Sequence, residues 1–531
     1  MTSPPAPRRA SRPARLLAAA VLAAMGAVLL WKLLLFLDRA SWAVHTPNEL
    51  DYGEGIVWQQ MRMMSEGQGY APLTTFPAIV FHYPPVYHWL TWLTVAATGL
   101  DDLSAGRTLS IISTLAAAAC AGVIASLCAP GSSRMARWIC GASAALVSLT
   151  CYPVAYWSVL MRVDMVAVAF ALGGLCLTML AMRRPLLIYL AAIAFVASVF
   201  TKQTMIAAPG AAFLVLLVLR PGLALRGIGA CIVLGLAVLL GLSVATDGQF
   251  IQHILGYNIN RFSFERLIDI KHRASVHVPY LLLGLVGAGL AVYLVFQQAG
   301  SGSLADVRRR ISGDEGTIRI LIAVAYLVPT TALLILIGKV GSSLNYYIEW
   351  FMAGSVMIGI AMRPAADAVF PPIKADGPAG ARVNPLVLAP ALVIAGALMA
   401  PTATKDDGIH TPADRAELAT LTRWVAAADR PVISDNMVIL RQAGKEVVLE
   451  PAIIAELGST GVYDERQFVR MIQHGEFAFF VTVGGRGENP YESRYNPAVT
   501  DAIYLHYPRK VKLAGLTVHL PAEAEADTAR P

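Results

Sequence analysis

Three carboxylates, Glu49, Asp51 and Glu54, fall within six residues in NELDYGEGIVWQQ, residues 48–60, just beyond a long apolar run. Other polar and ionisable groups stand where apolar runs begin or end. Arg162 and Asp164 lie in YWSVLMRVDMVAVAF, Lys202 in VFTKQT, and Lys339, Asn345, Tyr346 and Glu349 in GKVGSSLNYYIEW. An ionisable side chain at membrane depth is costly, so it is usually paired or functional. Carboxylates and cations gathered at one face suit a reaction that takes a proton from a hydroxyl and neutralises a departing phosphate. Each residue also has a plainer reading. Asp51 would be a turn acid, Glu49 a structural partner for Arg107, Glu54 an acid at a helix start, Asp164 a cap paired with Arg162, and Lys202 a snorkelling cation.

These residues must be held by membrane helices. The chain has 531 residues, of which 56% are hydrophobic and 15% charged, with a mean hydropathy of +0.58. Soluble domains are nearer a quarter charged. About eleven segments approach the length of about 20 residues that crosses a bilayer as a helix. They lie near 16–37, 106–128, 138–152, 164–182, 186–200, 203–219, 227–246, 277–297, 319–338, 346–362 and 385–400. The first has a basic front, residues 1–15, but is too long for a signal peptide core and lacks a clean cleavage site, so it reads as a retained helix. Arg8, Arg9, Arg12 and Arg15, then Arg134/Arg137, Arg183/Arg184, Arg220/Arg226, Arg308–Arg310 and Arg363/Lys374/Arg382 fill every second connection. Short Lys/Arg-rich loops stay cytoplasmic. The N-terminus is therefore expected inside, and the C-terminus and the first loop, 38–105, outside, in the inner or plasma membrane. The net charge of +7 follows this loop pattern and does not indicate a nucleic-acid partner.

One outer loop, 247–276, breaks the pattern with Arg261, Arg266, Lys271, His272 and Arg273. Two explanations stand: an anionic ligand at that face, or contact with anionic headgroups. His82, His253 and His272 share no metal-ligand spacing; a divalent metal is left open as a cofactor. The six cysteines lie in or beside predicted spans and read as apolar packing residues.

Residues 401–531 read as a small α/β domain outside the membrane. Thr411 and Pro412 form a helix start, with Leu418, Leu421, Trp424 and Val425 on one face. PVISD, KEVVLE, FAFFVTV and LTVHLP read as strands, and ERQFVRMIQHG as a helix ended by Gly475. The first loop holds a helix-like stretch, Ile56–Ser65, and an aromatic-rich amphipathic one after Pro84–Pro85. The latter is expected to lie in the interface rather than cross it.

In order and spacing these motifs resemble the lipid-phosphate-dependent glycosyltransferases of the GT-C superfamily. They are similar in particular to the protein O-mannosyltransferases and the lipid A aminoarabinose transferases. NELDYG resembles the acidic first-loop motif, with Glu49, Tyr52 and Gly53 in place; YPPVYHWL resembles the double-proline entry to an interfacial helix. SAGRTLSIIS places Arg107 at the head of the next span, Asp164 falls at the second acidic position, Thr201–Lys202 at the Thr-Lys motif, and NYYIEW at the tyrosine-rich entry to a late span. The resemblance covers roughly residues 16–362. Two positions depart from it. Asn48 replaces the first acid, which shifts the base role to Asp51 or Glu49. FHYPP carries His82 and Tyr83 where relatives have a phosphate-holding lysine.

The resemblance implies an all-α polytopic fold with a small extracytoplasmic α/β domain. It implies transfer of a sugar from a polyprenyl-phosphate carrier to a hydroxyl on a glycan, lipid or protein, with inversion. Asp51, Glu49 and Asp164 are then the catalytic candidates. Lys202, Arg162, Arg261, Arg266, Lys271, Arg273 and Lys339 are candidates for the phosphate, and Glu54, His82, Tyr83, Asn345, Tyr346 and Glu349 for the substrate. A glycolipid flippase without chemistry and an assembly partner of envelope enzymes are the alternatives; the paired inverted repeats common in transporters are not evident.

Overall fold

The computed structural model describes residues 11–74, 76–258, 260–268, 275–339, 341–372 and 385–522. Lys271, His272 and Arg273 lie outside the described residues. From the N-terminus, α1 (Arg12–His45) is followed by two short helices, α2 (Glu54–Ser65) and α3 (Val86–Thr98). Then come α4 (Asp102–Leu127), α5 (Arg134–Thr150), α6 (Tyr152–Trp157), α7 (Asp164–Ala181), α8 (Leu187–Val199), α9 (Ala207–Leu219) and α10 (Pro221–Ala245). Helices Val278–Ala299, Glu315–Ala332, Ile348–Ala361 and Ala389–Met399 complete the bundle. Each expected span coincides with one of these helices. The 319–338 segment is α-helical only to Ala332 and continues as 3-10 turns to Gly338.

Among the described residues, six helices are both long and apolar enough to cross a membrane: α1, α4, α7, α10, Val278–Ala299 and Glu315–Gly338. The clearest is α10. None of its most apolar stretch is buried inside the protein, and Ile232, Val233, Leu236, Leu240 and Val244 point outward. A helix that is apolar all round and uncovered by protein needs an apolar solvent. The chain is a multi-pass membrane protein. By contrast α3, with 13 residues, is too short to cross. It buries Tyr87, His88 and Thr91 and exposes Trp89, Trp92 and Leu93, which suits a helix lying in the interface.

Local sequence sets the helix ends. Asp101 accepts the Ser104 N–H at the start of α4, and Ser133 accepts that of Ala136 at the start of α5. At the centre of the bundle three backbones touch. A Cβ at Gly122 of α4 would sit 2.8 Å from Gly141 O of α5, and one at Gly359 would sit 2.7 Å from Cys140 O. Small residues at these points allow the close approach that packs membrane helices.

Residues 401–522 form a four-stranded sheet with helices around it. The strands are β1 (Ile433–Ser434), β2 (Phe480–Thr482), β3 (Arg509–Leu513) and β4 (Leu516–Leu520), in the order β1-β2-β4-β3. β1 and β2 are parallel and the other pairs antiparallel. Thr411 and Asp414 form a reciprocal capping box at the helix Pro412–Ala427, and Gly475 follows the helix Arg466–Gln473 with φ +68°. Of the expected strands, PVISD, FAFFVTV and LTVHLP contain β1, β2 and β4. KEVVLE is not a ladder strand; Leu449 alone makes a single bridge to Ala78.

This region does not stand apart from the first loop. Ile56, Val57 and Met61 of α2 share one core with Leu421, Val425, Met437 and Val438, and Ala78 and Val80 share another with Ile433, Leu449 and Phe480. Gly55 packs so tightly that a Cβ would meet the Met437–Val438 backbone at 2.5 Å. Two buried cations of α1 anchor the connecting chain. Lys32 Nζ donates to Thr402 Oγ1 (3.0 Å) and Arg39 Nε to Thr404 O (3.0 Å).

Candidate active site

At the end of the bundle where α1 stops and α4 and α7 begin, a cavity of about 840 Å³ opens between the helices, the first loop and the residues after 401. Its first wall comes from the turn between α1 and α2. Arg107 Nη1 donates to Ala43 O (2.8 Å) and Thr46 O (2.5 Å), and Nη2 to Asn48 O (2.7 Å). The same guanidinium meets Glu54 twice, Nε to Oε1 at 2.9 Å and Nη2 to Oε2 at 2.7 Å. Both side chains are fully buried. Glu54 also accepts the backbone N–H groups of Leu50 and Met161, each at 2.8 Å. One ion pair thus ties the end of α1, the acidic turn, α4 and the approach to α7. Arg107 takes Glu54 as its partner, not Glu49, and Glu54 faces this clasp instead of the cavity.

The clasp presents Asp51 to the cavity. Arg162 approaches it loosely, with Nη1 3.8 Å from Oδ1, and the Tyr156 hydroxyl donates to Oδ2 at 3.4 Å. Burial is the largest influence on this carboxyl and pushes its pKa up to about 6, against the pull of Arg162. Gly53, with φ +104°, makes room for the arginine. A Cβ there would collide with Arg162 Nη1, in a backbone region that side chains avoid.

Arg162 Nη1 donates to Tyr52 O (3.1 Å), while its buried Nε has no hydrogen-bond partner among the described residues. Lys202 lines the same space, 4.9 Å from the centre of the Tyr346 ring. Behind it Asp164 accepts from Lys202 Nζ (2.6 Å), Asn345 Nδ2 (2.9 Å) and Trp157 Nε1 (2.8 Å). Asp164 and Asn345 are buried supports and do not line the cavity. Glu349 lies deeper still and accepts from the Tyr326 hydroxyl (3.1 Å).

Three further expected cations reach the cavity: Lys339, Arg261 and Arg266. Lys339 has no ion-pair partner among the described residues. Arg261 is drawn toward the helix Pro451–Ser459, where Nη2 donates to Ser459 Oγ at 2.5 Å. Arg266 donates to Lys339 O (3.3 Å) and Ser342 O (3.4 Å). His82 and Tyr83 complete the expected set in the lining. Burial, and then the nearby cationic groups, pull the His82 pKa down to about 4, so the ring is neutral at neutral pH. Glu49 lies outside the lining. Its Oε1 is buried without a hydrogen-bond partner among the described residues, and burial together with Glu54 and Asp51 raises its pKa.

Asn48 does not face the cavity. It donates to Asp407 Oδ2 (2.7 Å) on the chain that follows the last membrane helix. An acid at position 48 would repel Asp407, so the amide suits this contact. His253 is structural: it accepts from Phe81 N (3.0 Å) and donates to Ala71 O (2.9 Å), which fixes its tautomer. No group of three His, Cys, Asp or Glu side chains suited to a metal occurs among the described residues.

Sequence reasoning missed the third wall. Glu450, Glu456, Glu492, Arg494 and Asn496 all line the cavity from beyond residue 401. Arg494 is held by Asp435 (3.0 Å) and stacks on Tyr52, 4.1 Å from the ring centre. One signal was present: a lone acid inside the apolar run VVLEPAIIA.

No family model matches the chain, and no curated protein sequence does. Among solved structures it is similar to ArnT from Cupriavidus metallidurans in the apo state, with a TM-score of 0.53 at 15% identity over 92% of this chain and 97% of that one. The same protein bound to undecaprenyl phosphate gives a TM-score of 0.51 at 15% identity, with the same coverage. The Archaeoglobus fulgidus oligosaccharyltransferase in its apo form gives 0.48 at 11% identity, over 85% of this chain and 69% of that one. The alignment with ArnT covers 92% of this chain, more than the bundle alone supplies, so the chain shares the fold of that protein.

Proposed function

We propose that the chain is a membrane glycosyltransferase that moves one sugar from a polyprenyl-phosphate carrier to a hydroxyl acceptor, with inversion. The observation that carries this reading is the placement of Asp51 in one cavity with Arg162, Lys202, Arg266 and Lys339. Asp51 takes the acceptor proton as the hydroxyl oxygen attacks the anomeric carbon. The bond to the phosphate oxygen breaks on the opposite side, and the electron pair leaves with the polyprenyl phosphate. Cations stabilise that charge in a partly dehydrated site, so no separate acid is needed. Asp164 keeps Lys202 in place. The ArnT structure with undecaprenyl phosphate supports a lipid phosphate as the donor's leaving half.

The test incubates purified protein in nanodiscs with a panel of undecaprenyl-phosphate sugars and follows release of undecaprenyl phosphate. Release with at least one donor is expected; none with any donor would end the proposal. The cations are tested by affinity. A charge-assisted hydrogen bond contributes about 1.5–3 kcal/mol, so Lys339→Ala and Arg266→Ala should each weaken undecaprenyl phosphate binding about tenfold or more. Unchanged affinity in the double variant would return this edge to a headgroup contact.

The same reading puts the cavity and the C-terminal region on the extracytoplasmic side. A reporter fused after residue 400 should be extracytoplasmic and one inserted near residue 310 cytoplasmic. Both on one side would contradict the shared face.

A further inference from the structure

Glu450 is out of character for its position. It directly precedes the helix Pro451–Ser459, at the cap position where a Ser, Thr, Asp or Asn would accept the free N–H groups. Its side chain makes no such cap. The backbone beside it is pinned: Ala78 N donates to Val448 O (2.8 Å), and Leu449 bridges Ala78. Held there, Glu450 is only 7% exposed and lines the cavity. Its carboxylate makes no hydrogen bond and no ion pair among the described residues.

The charges that face it are engaged elsewhere. Arg494 is held by Asp435 and the Tyr52 ring, and Arg162 donates to Tyr52 O and lies 3.8 Å from Asp51, so neither is bound to Glu450. A second polar group beside it is also unsatisfied. The Tyr52 hydroxyl is buried, faces the Ala452 N–H without a well-formed hydrogen bond among the described residues, and feels the Glu450 charge. Buried polar groups without partners are destabilising. Two that share one cavity wall mark a place where a ligand completes the bonding.

We propose that Glu450 and the Tyr52 hydroxyl form the acceptor subsite, and that the acceptor they take is a carbohydrate, bound through hydroxyls next to the one that attacks. This rests on the glycosyltransferase reading above. Sugar hydroxyls donate and accept hydrogen bonds side by side. A carboxylate accepts and a phenol does both, so the pair matches two neighbouring hydroxyls. Burial raises the Glu450 carboxyl to about 7, which lets it also donate to a hydroxyl oxygen near neutral pH. Asn258, Ser493 and Asn496 also line the cavity. A serine or threonine in a peptide offers its attacking hydroxyl and backbone amides but no second hydroxyl beside it.

The experiment uses the full chain in nanodiscs and two probes: undecaprenyl phosphate and an array of labelled oligosaccharides. Wild-type protein is expected to retain at least one glycan. Glu450→Gln and Tyr52→Phe should each weaken it tenfold or more while undecaprenyl phosphate affinity stays within twofold, which also reports that the variants are folded. The subsite is overturned if wild type retains no glycan, if both variants bind glycan as wild type does, or if both lose undecaprenyl phosphate. A wild type that binds a serine- or threonine-bearing peptide but no glycan overturns the acceptor class. A wild type that retains a glycan but not undecaprenyl phosphate sinks the donor reading and leaves the glycan subsite standing.

Discussion

Asp51→Asn is expected to lower turnover by about 10²–10⁴, the usual worth of general-base help, with undecaprenyl phosphate affinity preserved. The substitution keeps shape and hydrogen bonding to Tyr156 and removes basicity. Asp51 is the expected catalytic acid group that lines the cavity; Glu49 and Asp164 do not. Its environment also suits the role. A base works best when its pKa approaches the working pH, and burial has brought this carboxyl up to about 6. The sign of the pH dependence follows: the base must be unprotonated. kcat/KM should therefore rise with pH through about 6 and fall tenfold per unit below it. Asp51→Asn should remove that limb along with the rate. Near-normal turnover in Asp51→Asn beside a dead Glu49→Gln would move the base to Glu49. Asp164→Asn is expected to act differently, by leaving the buried Lys202 charge without its partner and weakening lipid phosphate binding.

The second large effect concerns folding. Glu54→Gln should destabilise the protein by about 3–5 kcal/mol, the typical result of removing one partner of a buried ion pair. Arg107 would keep its three carbonyls but lose its only counter-charge among the described residues, in a place with no water access. Glu54→Gln and Arg107→Leu should both lower the thermal midpoint in detergent and reduce the yield of monodisperse protein. The control is the exposed pair Arg466–Asp464, whose side chains are 82% and 57% accessible. Its loss should leave the thermal midpoint essentially unchanged, as for exposed ion pairs in general. If Glu54→Gln melts with the control, the clasp does not hold the acidic turn.

The spans were legible because hydropathy is a local signal, and α1, α4, α5 and α7 to α10 carry it. The acidic turn was legible as chemistry for the same reason. Its internal division of labour was not. Asp51, Glu54 and Asn48 stand within seven residues, yet one faces the cavity, one meets Arg107 in α4, and one meets Asp407, 359 positions away. Type and spacing cannot separate three polar residues whose partners are so distant in sequence. In the sheet region, β3 was missed because RKVKL is charged and largely exposed, so it lacks an apolar face. KEVVLE looked like a strand because apolar residues there are buried, but by contact with the first loop and not by a ladder. Glu450 was hidden inside that misreading.

The shared cores of the first loop and the sheet region bear on how such proteins can be recombined. α2 contributes side chains to the same interior as the helices Pro412–Ala427 and Met437–Gln442, so the C-terminal region is not a detachable module. A chimera that grafts a relative's sequence after residue 400 would set one lineage's apolar surface against another's. The unit of exchange is discontinuous, residues 48–83 together with 401–522, and the cavity's specificity should travel with both pieces or with neither.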